Sequence, residues 1–210
     1  ADIFGVCLRR LQSNKKVSVP MVAAFAIFVA RFGAPAFRAQ LESLQPGLSG
    51  MILGSAWPQH AAAAAGAQRK TVCISSVRLL CECPELAGEP ETFSALLTAV
   101  LQLLLAEQGM AVGAAVDLNA EEEEGLDFGG AEAGGGPGYV AAYAQLHFAS
   151  AAEADLYPTE VPLDFLRASL TRLSAAQPGR LGPMVQAAMG KLPAEKQQGV
   201  QALMQGLQLS

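Results

Sequence analysis

Apolar residues recur every third or fourth position along nearly the whole chain, and proline or glycine interrupts them at short intervals. That rhythm belongs to helices that each bury one face and then stop at a turn. Val22, Phe25, Val29 and Phe32 form one stripe, opened by Ser18 and Pro20 and broken by Gly33-Ala34-Pro35. A second helix runs to about Leu44 and ends at Gln45-Pro46-Gly47. A third carries Leu48, Met51, Ile52 and Ala56 on one side. Its Gly50 and Gly54 each cost about 1 kcal/mol relative to alanine, so packing must hold it. Another helix spans residues 69–83 and is stopped by Pro84. Pro90 opens the next, with Leu97, Val100, Leu101 and Leu104 facing inward and Gly109 as its stop. Pro137 opens a helix bearing Tyr139, Tyr143 and Leu146. Pro162 opens one with Leu163, Leu166, Leu170 and Leu173 in register, ended by Pro178-Gly179. Two more follow, one around Leu181, Val185 and Ala188, the other carrying Val200, Leu203, Met204 and Leu207.

The result is a string of roughly ten helices with no convincing strand. Composition agrees, with 39 Ala and 28 Leu against only 4 Ile and 5 Thr. Alanine and leucine favour helix, and the scarcity of β-branched residues excludes a β-sandwich or barrel. A hydrophobic content of 51% excludes a wholly disordered chain. Its 210 residues suit one compact domain or one run of repeats. Helical periodicity alone leaves a bundle and an α-solenoid of helix pairs both open. The predicted core includes Phe25, Val29, Val77, Leu80, Leu97, Leu101, Leu166 and Leu170. Ala1 stands where an initiator methionine would, which reads as a fragment or a processed chain.

The net charge of -5 hides three blocks. Residues 1–81 carry +7, residues 82–164 carry -16 with no Lys or Arg, and residues 165–210 carry +4. A nucleic-acid binder shows a basic stripe and a high pI, and this chain has neither. The acidic middle points to a basic protein partner. Its centre, residues 109–136, reads as a mobile acidic and Gly-rich loop between helices. Asp117, Glu121, Glu122, Glu123, Glu124 and Asp127 within it are the candidate partner-binding residues. They lack the alternating ligand pattern of a calcium loop.

Little else carries chemistry. Cys7, Cys73, Cys81 and Cys83 read as buried reduced thiols, without the second pair or histidine spacing of a zinc site. Residues 17–30 and 96–106 are apolar but too short to span a bilayer, which takes about 20 residues. Gly134-Gly135-Gly136-Pro137-Gly138 lacks the Lys-Ser/Thr of a phosphate loop. His60 and His147 are the only histidines and sit in no catalytic pattern. The chain is read as a non-enzyme without cofactor or metal. The readings weighed against it are a small helical enzyme or metal domain using Glu121 to Glu124, and a generic helical scaffold.

Six segments, in order, carry a resemblance. They are RLQSNKK at 10–16, FAIFVARFGAPA at 25–36, LQPGLSGMIL at 44–53, RKTVCISSVRLLCECP at 69–84, GYVAAYAQLHFAS at 138–150 and SLTRLSAAQPGRLGPMV at 169–185. Together they resemble the C-terminal part of the CAS/CSE importin-α re-exporters, karyopherin-β exportins. The resemblance implies an all-α fold, an α-solenoid of HEAT-like helix pairs. It implies a transport receptor that binds importin-α as cargo together with Ran-GTP and passes the nucleoporins of the pore. Such a receptor shuttles between nucleus and cytoplasm, with no direct nucleic-acid binding and no membrane insertion. The N-terminal arch, where that family makes its main Ran contact, has no counterpart in these residues. The Ala-rich run 61–67 and Gly-rich run 129–136 depart from the family's pattern.

Overall fold

Proline opens the helices where the sequence places it. The computed structural model describes residues 18–64, 66–107 and 155–204. Helix α1 (Ser18–Phe32) holds Pro20 in its first turn, and Gly33 at φ 90° reverses the chain into α2 (Ala34–Leu44). That left-handed backbone is one that glycine adopts without a Cβ penalty. Gly47, at φ 80°, then starts α3 (Leu48–Met51). A π-helical turn (Ile52–Ala56) follows without a break and runs into α4 (Trp57–Ala61). Helix α5 (Gly66–Glu82), a 3₁₀ turn (Pro84–Gly88) and α6 (Pro90–Glu107) complete the first part. After residue 155 come α7 (Pro162–Ala176), α8 (Leu181–Gly190) and α9 (Ala194–Met204). No strand occurs among the described residues. The helix expected after Pro137 and the loop expected at 109–136 lie outside them, as does Cys7.

The helices stack in two layers. In one, α1 packs on α5 and α5 on α7. In the other, the π turn and α4 pack on α6, and α6 on α8. The layers meet through α1 with α4 and α5 with α6, while α9 closes against α6 and α8. This is the pairing of a HEAT-like α-solenoid, in which each pair buries its apolar face against the next. Phe25, Phe37 and Trp57 link α1, α2 and α4 through ring contacts of 5.3 and 5.8 Å between centroids. All eight residues of the predicted core are buried, Phe25 at 4% exposure and the others at 1% or less.

Two stripes differ from the sequence reading. Phe32 is 64% exposed. It is the last residue of α1, and its ring lies on Phe28 at 4.7 Å between centroids instead of entering the core. In the third helix the buried set is Leu48, Ile52, Leu53, Trp57 and Ala61, while Met51 is 54% exposed and Ala56 half-buried. The π turn causes the shift. The Trp57 N–H reaches back five residues to the Ile52 carbonyl, so the inward face advances by one position. The wider turn also precedes Pro58, which has no N–H to give and whose ring crowds the preceding turn of an ordinary α-helix.

Two serines of α5 and one arginine partner polar atoms across this core. Ser75 Oγ donates to the Ala26 carbonyl at 2.9 Å, and Ser76 Oγ donates to Val72 at 2.7 Å while accepting the Trp57 indole N–H at 2.9 Å. The Arg78 guanidinium donates to the Val29 and Ala30 carbonyls at 3.0 and 3.1 Å, closing the C-terminal end of α1. Between α2 and α3, Glu42 accepts the N–H groups of Gly47 and Ser49 at 2.8 and 3.1 Å. The Ser49 hydroxyl first, then those two amides, hold its carboxyl below the usual range. An anion at a helix N-terminus is where the helix dipole favours it.

Leu170→Ala is expected to lower stability by about 2–5 kcal/mol in urea unfolding, because Leu170 is fully enclosed. An unchanged midpoint would mean that this face is not part of the core. The two glycines of the third helix should separate. A methyl at Gly50 meets nothing within 4 Å, so Gly50→Ala should stabilise by up to about 1 kcal/mol. At Gly54 a methyl would lie 3.3 Å from Thr92 Oγ1, so Gly54→Ala should gain less or lose. Thermal midpoints in the opposite order would overturn this account.

Candidate interaction surface

The candidate partner-binding residues Asp117, Glu121, Glu122, Glu123, Glu124 and Asp127 lie outside the described residues. What the structure does place is the ground on either side of them. Glu107 ends α6 and is exposed, and Asp155 is exposed where the description resumes. Both adjoin the first turn of α5. Arg69 Nη1 donates to the Ala106 carbonyl at 3.3 Å, and Lys70 Nζ pairs with Asp155 Oδ2 at 2.8 Å. Asp155 Oδ1 also accepts the Tyr157 N–H at 2.9 Å. Lys70 first, and that amide second, hold the Asp155 carboxyl below its ordinary value. Tyr157 is buried, with its hydroxyl 3.2 Å from Ser75 Oγ. No spacing rule links Lys70 to Asp155, so sequence reasoning had no signal for this contact.

The start of the acidic block forms a surface around the 3₁₀ turn. Glu85 and Glu91 are exposed there. Glu82 accepts from Arg78 Nε at 2.7 Å, and Glu89 accepts from Arg38 Nη2 at 2.7 Å. Apolar residues Ile27, Phe32, Pro35, Ala36 and Ala39 are exposed on α1 and α2. An exposed apolar set of this kind, with Arg31 among it, suits a macromolecular contact better than solvent.

Small-molecule chemistry finds little footing in the described residues. A dimple lined by Met21, Val22, Phe25, Ile52, Ala56, Trp57 and His60 has about 10 Å³ of space. That is near the lower limit for a single water. Burial lowers the His60 pKa, which keeps its imidazole neutral near pH 7. Burial pushes the Cys73 and Cys81 thiols up to about 12 and Cys83 up to about 11, so they are poor nucleophiles at neutral pH. No group of three His, Cys, Asp or Glu among the described residues is placed to hold a metal ion. No described helix is long and apolar enough to cross a membrane.

Comparison with known proteins gives a consistent relationship. Residues 1–203 match the family model described as CAS/CSE protein, C-terminus. The chain is 31% identical over 191 residues to exportin-2 of Xenopus laevis, covering 88% of this chain and 18% of that protein. Against exportin-2 of Homo sapiens the identity is 30% over 191 residues, with the same coverage of 88% and 18%. Against that of Danio rerio it is 29% over 213 residues, covering 97% of this chain and 20% of the relative. The chain thus spans about a fifth of the length of the curated relatives it matches. No solved structure gives a significant match. With the family model matched along almost its whole length and the helices stacked as HEAT-like pairs, the chain belongs to the CAS/CSE protein family, in the region of that family's C-terminus.

Proposed function

We propose that this chain is the C-terminal helical-repeat part of a nuclear transport receptor. In that reading the receptor binds importin-α together with Ran-GTP, carries it from nucleus to cytoplasm past the nucleoporins, and shuttles between the two compartments. The observation that carries the reading is the match to the CAS/CSE C-terminus across residues 1–203. The architecture supports it. A stack of helix pairs offers an extended surface for a large protein cargo, and many moderate contacts can be released together when a GTPase changes state. The charge distribution supports it as well, since 16 acidic residues in 82–164 would draw in a partner with basic surfaces. Asp117, Glu121 to Glu124 and Asp127 remain the residues proposed to steer that encounter.

The test is a chimera in which this chain replaces the matching C-terminal fifth of a vertebrate exportin-2. It should retain importin-α on beads when GTP-locked Ran is present and lose it when Ran is omitted. A chimera that folds, as circular dichroism would report, but never retains importin-α would sink the reading.

The acidic run makes a second, separable prediction in the same chimera. Replacing Glu121 to Glu124 with serine should leave the unfolding midpoint nearly unchanged, because solvated charges contribute little to stability. It should slow association with importin-α or Ran-GTP at low salt and leave dissociation almost untouched. The difference should shrink as salt shortens the screening length to about 8 Å at physiological strength. Identical association rates at low salt would remove the run from the binding mechanism.

A further inference from the structure

We propose that Arg69 and Lys70, neighbouring residues on the first turn of α5, form a two-pronged clamp on the two chain ends between which residues 108–154 run. The proposal goes beyond the transport reading and does not depend on it. One prong is Arg69, whose Nε donates to the Ala64 carbonyl at 3.1 Å and whose Nη1 donates to the Ala106 carbonyl at 3.3 Å. Those bonds tie the turn before α5 to the last turn of α6, whose terminal carbonyls lack partners within their own helix. The other prong is Lys70, bonded to Asp155 at 2.8 Å.

Asp155 is the outer end of a strap, residues 155–161, that leads into α7. Its inner anchor is Tyr157. Ser75 Oγ has one proton and gives it to the Ala26 carbonyl, so the Tyr157 hydroxyl is the donor in its 3.2 Å bond to Ser75. The strap is therefore held in two tiers, a buried tyrosine between α1 and α5 and an exposed ion pair at its outer end.

The two prongs differ in kind. Arg69 binds backbone carbonyls, a contact that survives changes of side chain on α6. Lys70 binds a single carboxylate through side chains that are 26% and 48% exposed, so salt and charge substitution act on it directly. Two ends separated by 47 residues of sequence are thus referred to one helical turn, which fixes where they sit relative to the α5 core.

Hydrogen exchange read by mass spectrometry on the complete 210-residue chain tests this. Lys70→Glu should raise amide exchange about three- to fivefold in residues 155–161, the range a surface ion pair allows, and leave the global unfolding midpoint in place. Asp155→Lys should do the same. The double exchange of Lys70→Glu with Asp155→Lys should restore protection in residues 158–161 relative to either single variant, but not at the Tyr157 amide, whose acceptor is the Asp155 carboxylate. Arg69→Gln should raise exchange in the last turn of α6 and spare residues 155–161. If Lys70→Glu perturbs folding, Lys70→Gln is read instead, with the same expectation for residues 155–161. Unchanged exchange in the single variants, or a charge swap that fails to restore protection, overturns the clamp.

Discussion

Helix α5 is enclosed on every side, and the rest of the structure is arranged around that fact. Thr71 to Val77 are seven consecutive buried residues, which a helix with one solvent face cannot provide. Neighbours must surround it, and α1, α6 and α7 do so, with α2 and α4 completing the shell. Close approach requires small side chains, and Cys73, Ser75 and Ser76 supply them. Each buried hydroxyl would cost about 1–3 kcal/mol if left without a partner. Ser75 and Ser76 avoid that by bonding to Ala26, Val72, Trp57 and Tyr157, so the same residues that allow the contact also specify which helices make it.

What the sequence shows of this follows the periodicity. Helices with one buried stripe, such as α7 and α8, are legible because Leu166 and Leu170, and Leu181 and Val185, stand four apart. Pro90 and Pro162 mark the starts of α6 and α7. The limits of α5 are legible from Pro84, but its all-round burial is not, because Ser75 and Ser76 look like surface residues until their partners are known. The π turn is illegible for a different reason. An extra residue in one turn leaves composition and punctuation unchanged, and it moves the inward position from Met51 and Ala56 to Leu53 and Trp57. Phe32 fails because a stripe carries no record of where its helix stops being covered.

Charge blocks were legible as blocks, and the use the fold makes of them was not. The ion pairs found among the described residues are Arg38 with Glu89, Lys70 with Asp155 and Arg78 with Glu82. Each takes its base from the block at 1–81 and its acid from the block at 82–164. One of these pairs lies within α5, Arg78 with Glu82, and the other two join an early helix to a later connecting residue, Glu89 before α6 and Asp155 before α7. Among the described residues the acidic block therefore has an architectural share, in Glu82, Glu89 and Asp155.

That share bears on how such a chain can serve a partner without loosening itself. Acidic residues spent on Arg38, Lys70 and Arg78 are held in geometry that a competing basic surface would have to break. A basic partner that competed for Glu82 would meet Arg78, which also caps α1 through the Val29 and Ala30 carbonyls, so the cost of capture would include an uncapped helix end. Competition for Asp155 meets Lys70 in an exposed pair and the Tyr157 N–H, with the buried Tyr157 side chain holding the strap behind it. Asp155 is thus the weakest of the three pairings to pull apart and the one whose opening leaves the core intact.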